Sequence, residues 1–192
     1  FYDDGMPAGS FGSYKLQLAQ SWRMENPTVL TDAEREEIDH EAREAKARRE
    51  AEQRSHQETA ACICDAMWQR ARAVDPGHGY LVRKGIPGEG LRQLDNMLLV
   101  PMRDEGGGLW NLQRIWPNGE KLYIKNARAH GLFTVIGQPS DRLVVAEGYA
   151  AGAVIRGATG WPIAIAFCWE NLKRPAQAMR GFYPSADIVI AA

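Results

Sequence analysis

Arg142-Leu143-Val144-Val145-Ala146-Glu147-Gly148-Tyr149 is the stretch on which the fold turns. Leu143 to Ala146 is an unbroken apolar run, too short for a buried helix and uninterrupted by the polar residues that a half-exposed strand alternates in. That texture fits a strand covered on both faces, as in parallel sheets flanked by helices. Outward from it, Tyr149 to Gly157 suits a helix and Pro162-Ile163-Ala164-Ile165-Ala166 a second buried strand. A helix from about Asn171 to Arg180 and a third strand, Asp187-Ile188-Val189-Ile190-Ala191, complete a β-α-β-α-β pattern. Such alternation predicts a parallel sheet with right-handed crossovers. Ligands of such sheets sit beyond the carboxyl ends of the strands, which is where Glu147 falls. By position alone Glu147 could meet a metal or a phosphate there, or it could cap the helix that follows.

Upstream the texture is different. After Pro76-Gly77 the chain reads as short β-type runs separated by turns. Met97-Leu98-Leu99-Val100-Pro101-Met102 is a strand, Asp104 to Gly108 its turn, and Leu109 to Ile115 its partner. Trp116-Pro117-Asn118-Gly119-Glu120 turns again, and Lys121-Leu122-Tyr123-Ile124-Lys125 returns, which predicts an antiparallel meander. Leu132 to Ile136 adds a further strand before Gly137 and Pro139. Still earlier, Thr31-Asp32-Ala33-Glu34 fits a capping box, and no Gly or Pro interrupts the chain from there to about Val74. Asp39 with Arg43, Glu44 with Arg48 and Glu50 with Arg54 stand four residues apart, a spacing that supports a helix. Up to Gln57 its only large aliphatic residue is Ile38, so this half is expected to face solvent. Ala60, Ile63, Cys64, Met67, Trp68 and Ala71 give the last turns a face that can dock. The first thirty residues, with Gly5, Pro7, Gly9, Gly12 and Pro27 among short aromatic patches, suit a hairpin or small sheet. The expected organisation is a β/turn segment over 1–30, a long charged helix over 31–75, an antiparallel subdomain over 76–140 and a parallel core over 141–192. The fold class is α/β, or α+β taken overall.

Composition narrows function less than it narrows fold. Of 192 residues 45% are apolar and 24% charged, which is ordinary for a folded globular chain. A net charge of −1 provides no overall basic footprint for nucleic acid, so any such contact must come from a local patch. The three cysteines, Cys62, Cys64 and Cys168, lack zinc-ribbon spacing, and an odd number suits a reducing compartment; the cytoplasm is expected. Cys62 and Cys64 lie on different faces of a helix and read as small packing residues, and His40 and His56 as surface residues. No apolar run approaches the roughly 20 residues that cross a bilayer, so no membrane partner is expected. The chain opens at Phe1 and stops at Ala192 within an apolar run, which reads as a piece of a longer protein.

Val144-Val145-Ala146-Glu147-Gly148-Tyr149-Ala150-Ala151-Gly152-Ala153 resembles the glutamate motif of the TOPRIM fold, shared by DnaG-type primases, topoisomerases and some nucleases. Leu99-Val100-Pro101-Met102-Arg103-Asp104 with Gly106 to Gly108 is similar to the stretch that precedes TOPRIM in primases. Gly119-Glu120-Lys121, leading to Gly131-Leu132-Phe133 and Ile136-Gly137, resembles the segment between them. Tyr80 to Ile86, with an Ala/Glu/Arg-rich helix before it, looks like the corresponding part of plasmid and phage primases and primase-helicases. The likeness covers roughly residues 78 to 192.

The resemblance implies a truncated TOPRIM sheet and, for the parent protein, an enzyme: a DNA primase that makes RNA primers on single-stranded DNA. Its implied cofactor is Mg2+ or Mn2+, and its partners are the single-stranded template, ribonucleoside triphosphates and a replicative helicase domain or subunit. Glu147 matches the catalytic, metal-binding glutamate, whose Asp-x-Asp partners are expected immediately after Ala192. Asp187 lies at the wrong end of its strand to replace them, so the chain alone is expected to be inactive. Arg103, Arg114, Lys121 and Lys125 are the implied contacts to nucleotide or template phosphates, with Arg103 alternatively paired to Asp104 or Glu105. Trp110 and Trp116 could stack bases or serve as core. Cys168-Trp169-Glu170 departs from the family's Asp-Ala-Gly or Asn-Ala-Gly, while Asn171 matches and is expected to cap the next helix. Cys168 reads as a buried-edge residue and Glu170 as a surface cap or an added carboxylate. A non-catalytic TOPRIM binding or scaffold module, and a TOPRIM nuclease or topoisomerase, are the alternatives.

Overall fold

The computed structural model describes residues 8–13, 18–23, 31–138 and 140–191. The chain divides into two compact units, Phe1–Arg49 and Glu50–Ala192. In the first, β1 (Ala8–Ser13) pairs antiparallel with β2 (Leu18–Arg23), in a register that sets Ser10 opposite Ser21. This is the expected hairpin; the residues of its turn lie outside the described ones. Helix α1 (Asp32–Arg70) begins in this unit on the expected capping box. The Thr31 amide and hydroxyl both donate to Glu34 Oε2 at 2.7 Å, and the Glu34 amide donates to the Thr31 hydroxyl at 3.3 Å.

In the second unit only the last turns of α1 have something to bury. Ala60 and Cys64 are its buried residues, and Met67, Trp68 and Ala71 pack with Cys64 against Leu99, Leu109 and Leu112. The docking face is narrower than expected, because Ile63 is 49% exposed and Cys62 is exposed as well. Neighbouring helix positions are about 100° apart, so the seating of Cys64 turns Ile63 away.

Where short β-type runs were expected the chain instead forms α2 (Gly79–Lys84). His78 Nδ1 accepts the Tyr80 amide at the start, and Gly85, at φ +62°, closes the end in the left-handed region. Histidine is an uncommon cap, which hid this helix in the sequence. Four strands follow: β3 (Arg92–Leu94), β4 (Met97–Arg103), β5 (Leu109–Ile115) and β6 (Lys121–Tyr123). They form the expected antiparallel meander in the order β3-β4-β5-β6, with β3 in addition, and a bulge at Met102/Arg103.

The next strand, β7 (Thr134–Ile136), leaves the meander and pairs antiparallel with β9 (Ile163–Ile165); an Arg103–Phe133 bridge and the packing of Ile136 with Leu98, Val100 and Met102 tie it back. The C-terminal sheet therefore begins before Asp141. Its other elements are β8 (Arg142–Ala146), α3 (Tyr149–Thr159), a 3-10 turn at Trp169–Asn171, α4 (Lys173–Phe182) and β10 (Asp187–Ala191). The order is β10-β8-β9-β7, with β8 parallel to both its neighbours. The two-residue strand period divides β8 between two cores. Val144 and Ala146 pack with Ile163, Ile165, Tyr149 and Ala153 on the α3 side, while Leu143 and Val145 pack with Ala164, Ala178 and Met179 on the α4 side. Gly152 lets α3 approach the sheet: a Cβ there would press into Ile163 and Ile165.

Candidate functional site at the carboxyl edge of the parallel strands

Glu147 leaves the end of β8 into solvent, next to Ala146, which is fully buried. The cap position of α3 belongs to Gly148, which has no side chain to bond with, so Glu147 is not the side-chain cap that its position allowed. The ends of both neighbouring strands are level with it. Ala166 donates its amide to the Ala146 carbonyl at 2.8 Å, and Ala191 of β10 stands beside Ala146 in register. Asp187 pairs with Arg142 at the far end, as expected. Just past β9, Phe167 takes φ +72°, a left-handed conformation costly for a residue with a side chain, and Cys168 follows half-buried.

The meander reaches this edge through Tyr123. Its hydroxyl donates to the Phe167 carbonyl at 3.4 Å and accepts from Gln113 Nε2 at 3.3 Å. Burial pushes this phenol above the usual tyrosine range; the Gln113 bond opposes that, and the nearby Cys168 and Glu147 add to it. Lys121, two residues earlier on the same strand, shares the face of Tyr123, with its Nζ 5.7 Å from the centre of the Tyr80 ring. Arg114 lies opposite Leu122 and so on the other face; its Nη2 donates to the Tyr123 carbonyl at 2.9 Å, and its guanidinium is 5.4 Å from the Trp116 ring. Arg103 bonds neither Asp104 nor Glu105 but donates to the Gly107 carbonyl at 2.8 Å, and lies 5.9 Å from the Trp68 ring. Lys125 is exposed just beyond β6. Lys121 thus shares a face with Tyr123 of the Glu147 edge, whereas Arg103 and Arg114 are engaged elsewhere in the meander.

Asp104 organises its own turn. One carboxylate oxygen accepts the Gly108 amide at 2.9 Å and the other accepts Trp110 Nε1 at 2.7 Å. Asn171 is 4% exposed and does not cap α4. Its amide nitrogen donates to the Leu132 and Ala166 carbonyls at 2.7 and 2.8 Å, and its oxygen accepts the Gly131 amide at 3.0 Å. The side chain binds the start of β7 to the end of β9. Among the described residues no three His, Cys, Asp or Glu side chains converge as metal ligands.

Two proteins of Escherichia coli resemble this chain along its length, at 29% and 30% identity over 98% of the chain. Both are named DNA primase TraC. The chain spans 14% and 18% of the length of these relatives. No family model and no solved structure matches it.

Two cavities involve residues that the sequence did not single out. One, of about 380 Å³, is lined by Arg128, His130, Arg174, Asp104 and Glu105 among others. The second, of about 480 Å³, is walled by Trp68, Arg103, Phe133, Val135, Phe182 and Tyr183 among others. Arg128 and His130 sit in the connection between β6 and β7, where no periodicity marks a residue, and Arg174 reads in sequence as an ordinary surface position of a helix.

Proposed function

We propose that the chain is part of a DNA primase, one that makes RNA primers on single-stranded DNA, and that Glu147 is its metal-binding catalytic carboxylate. The observation that carries this reading is the exposed Glu147 beyond the fully buried end of a central parallel strand, with the ends of both neighbouring strands beside it. Similarity to DNA primases over nearly the whole chain supports the same reaction.

The described side chains do not by themselves fit Mg2+ or Mn2+. Such hard cations take several oxygen ligands, and Glu147 provides a single carboxylate. The register supports a place for the others: Ala191 lies beside Ala146, so an Asp-x-Asp pair following Ala192 in a longer protein would stand next to Glu147. In this reading Lys121 and Lys125 contact nucleotide or template phosphates. Arg103 and Arg114, each of which donates one N–H to a backbone carbonyl of the meander, are proposed to do the same with their remaining donors. Template, ribonucleoside triphosphates and a replicative helicase domain or subunit are the proposed partners.

Primer synthesis from ribonucleoside triphosphates on a single-stranded template, by a longer protein containing this chain, tests the proposal. Glu147→Gln is expected to bring synthesis to background with folding intact, and the 192-residue chain alone to make no primers. Full activity of the Glu147→Gln protein, or robust synthesis by the chain alone, would refute it.

A further inference from the structure

The two cavities are neighbours. Asp104 and Glu105 line both, with Gly106 in one and Gly107 in the other, so only the β4–β5 turn separates them. They also share a second wall. Arg174, in the first turn of α4, lines the smaller cavity, and Phe182, its last residue, lines the larger. Eight residues of α-helix rise about 12 Å, and between these two ends Ala178 and Met179 are buried against the sheet.

The contents of the two cavities differ. The smaller gathers Arg128, Arg174 and His130 as donors. Asp104 and Glu105 line it as well and match the two arginines in formal charge, although both Asp104 oxygens already accept hydrogen bonds from Gly108 and Trp110, and Arg128 Nη1 is 4.0 Å from one of them. Arg128 is further oriented by donating its Nε–H to the His130 carbonyl at 3.1 Å and by lying 5.6 Å from the Trp110 ring. The larger cavity offers aromatic surface. Phe182 is 51% exposed with its ring edge-to-face on Tyr183, and Trp68 carries Arg92 at 4.6 Å and Arg103 at 5.9 Å. Two guanidinium groups in one cavity and exposed aromatic surface in the next, meeting at the β4–β5 turn, complement a charged backbone that carries flat bases.

We propose that single-stranded nucleic acid binds across the β4–β5 turn, with a phosphate held by Arg128 and Arg174 near the start of α4 and a base stacked at Phe182 near its end. The proposal rests on the nucleic-acid reading above but not on Glu147 or any metal. Phosphate contacts by arginine supply affinity without sequence preference, and base stacking is equally tolerant, so little sequence preference is expected.

Binding of a fluorescent single-stranded oligonucleotide to the 192-residue chain, followed by anisotropy over a range of salt concentrations, tests it. Arg174 and Phe182 are both exposed, so substitution should leave the fold intact, as thermal melting checks. Arg174→Ala should weaken binding and lower the slope of log affinity against log salt by about 0.7, the share of one phosphate contact on a single strand. Phe182→Ala should weaken binding by about five-fold or more, the effect of losing one stacked base, and leave the salt slope unchanged. Binding of both variants like the parent, or no oligonucleotide binding by the parent, overturns the proposal. So does a result in which Arg174→Ala weakens binding of a free ribonucleoside triphosphate but not of the oligonucleotide. Glu147→Gln should bind the oligonucleotide normally, so a failed primase reading and a failed groove give different results.

Discussion

Asn171 occupies a place where one amide group satisfies three backbone groups from two strand ends. Removing it leaves the Gly131 amide and the Leu132 and Ala166 carbonyls short of a partner in a buried setting, each worth about 1 kcal/mol or more. Asn171→Ala is therefore expected to lower the unfolding free energy by about 3 kcal/mol, measured as a lower denaturant midpoint at unchanged slope. A change below about half a kcal/mol would mean that water replaces the amide. The sequence showed that an asparagine stood before a helix, and capping is the commonest use of one there. Its real partners lie forty residues back on the chain, at Gly131 and Leu132. Arg103 was hidden for the same kind of reason. Its neighbours Asp104 and Glu105 are the obvious partners by proximity in sequence, but the turn brings the Gly107 carbonyl to it instead.

The exposed half of α1 depends on local devices, since it has no apolar face to pack. In one of the spaced charge pairs the arginine meets the backbone of its partner: Arg43 Nε donates to the Asp39 carbonyl at 3.1 Å. The capping box is better defined. The hydrogen bonds from the Thr31 hydroxyl and then the Thr31 amide hold the Glu34 carboxyl below its usual range. A carboxylate with a depressed folded value stabilises above its ordinary range and loses that contribution as pH falls through the folded value. Acidification should thus fray the start of α1, seen as lower amide protection factors, corrected for the intrinsic pH dependence of exchange, at Glu34 and Arg35. In Thr31→Ala those protection factors should already be low near neutral pH and should change less with acid. Equal protection in the two proteins at neutral pH would show that the cap does not hold the helix start. Helices and strands with strong periodicity were legible in the sequence: α1, the β4–β5–β6 meander and all three parallel strands. Short elements were not. Three-residue β3 and six-residue α2 are held by tertiary contacts, so their own sequences carry little signal.

At the scale of the second unit, α1's end and the meander share a core, and Cys64 reports on it. Burial pushes its thiol up to about 11, with Asp65 adding to the rise, whereas Cys62 beside it is exposed. An acid raised on folding stays neutral while the unfolded chain ionises, so stability falls as pH rises from the ordinary thiol range towards about 11. Near neutral pH a thiol reagent should modify Cys62 quickly and Cys64 only as fast as α1 undocks, a difference that mass spectrometry of labelled peptides resolves. Equal rates would mean that the last turns of α1 are not held on the meander. The parallel core and the position of Glu147 were legible because a doubly covered strand needs an unbroken apolar run. The route of β7 was not, since a three-residue strand fits either sheet and its choice is set by β9, which follows it in the chain. The strand order has a consequence in time. Each meander strand pairs with its sequence neighbour, but β8 must wait for β9 and for β10, which closes its other side only after α4. Non-local pairings form late because their loops must close first. During synthesis the meander can therefore assemble as soon as it emerges, and the edge that carries Glu147 is the last part of this unit to take shape.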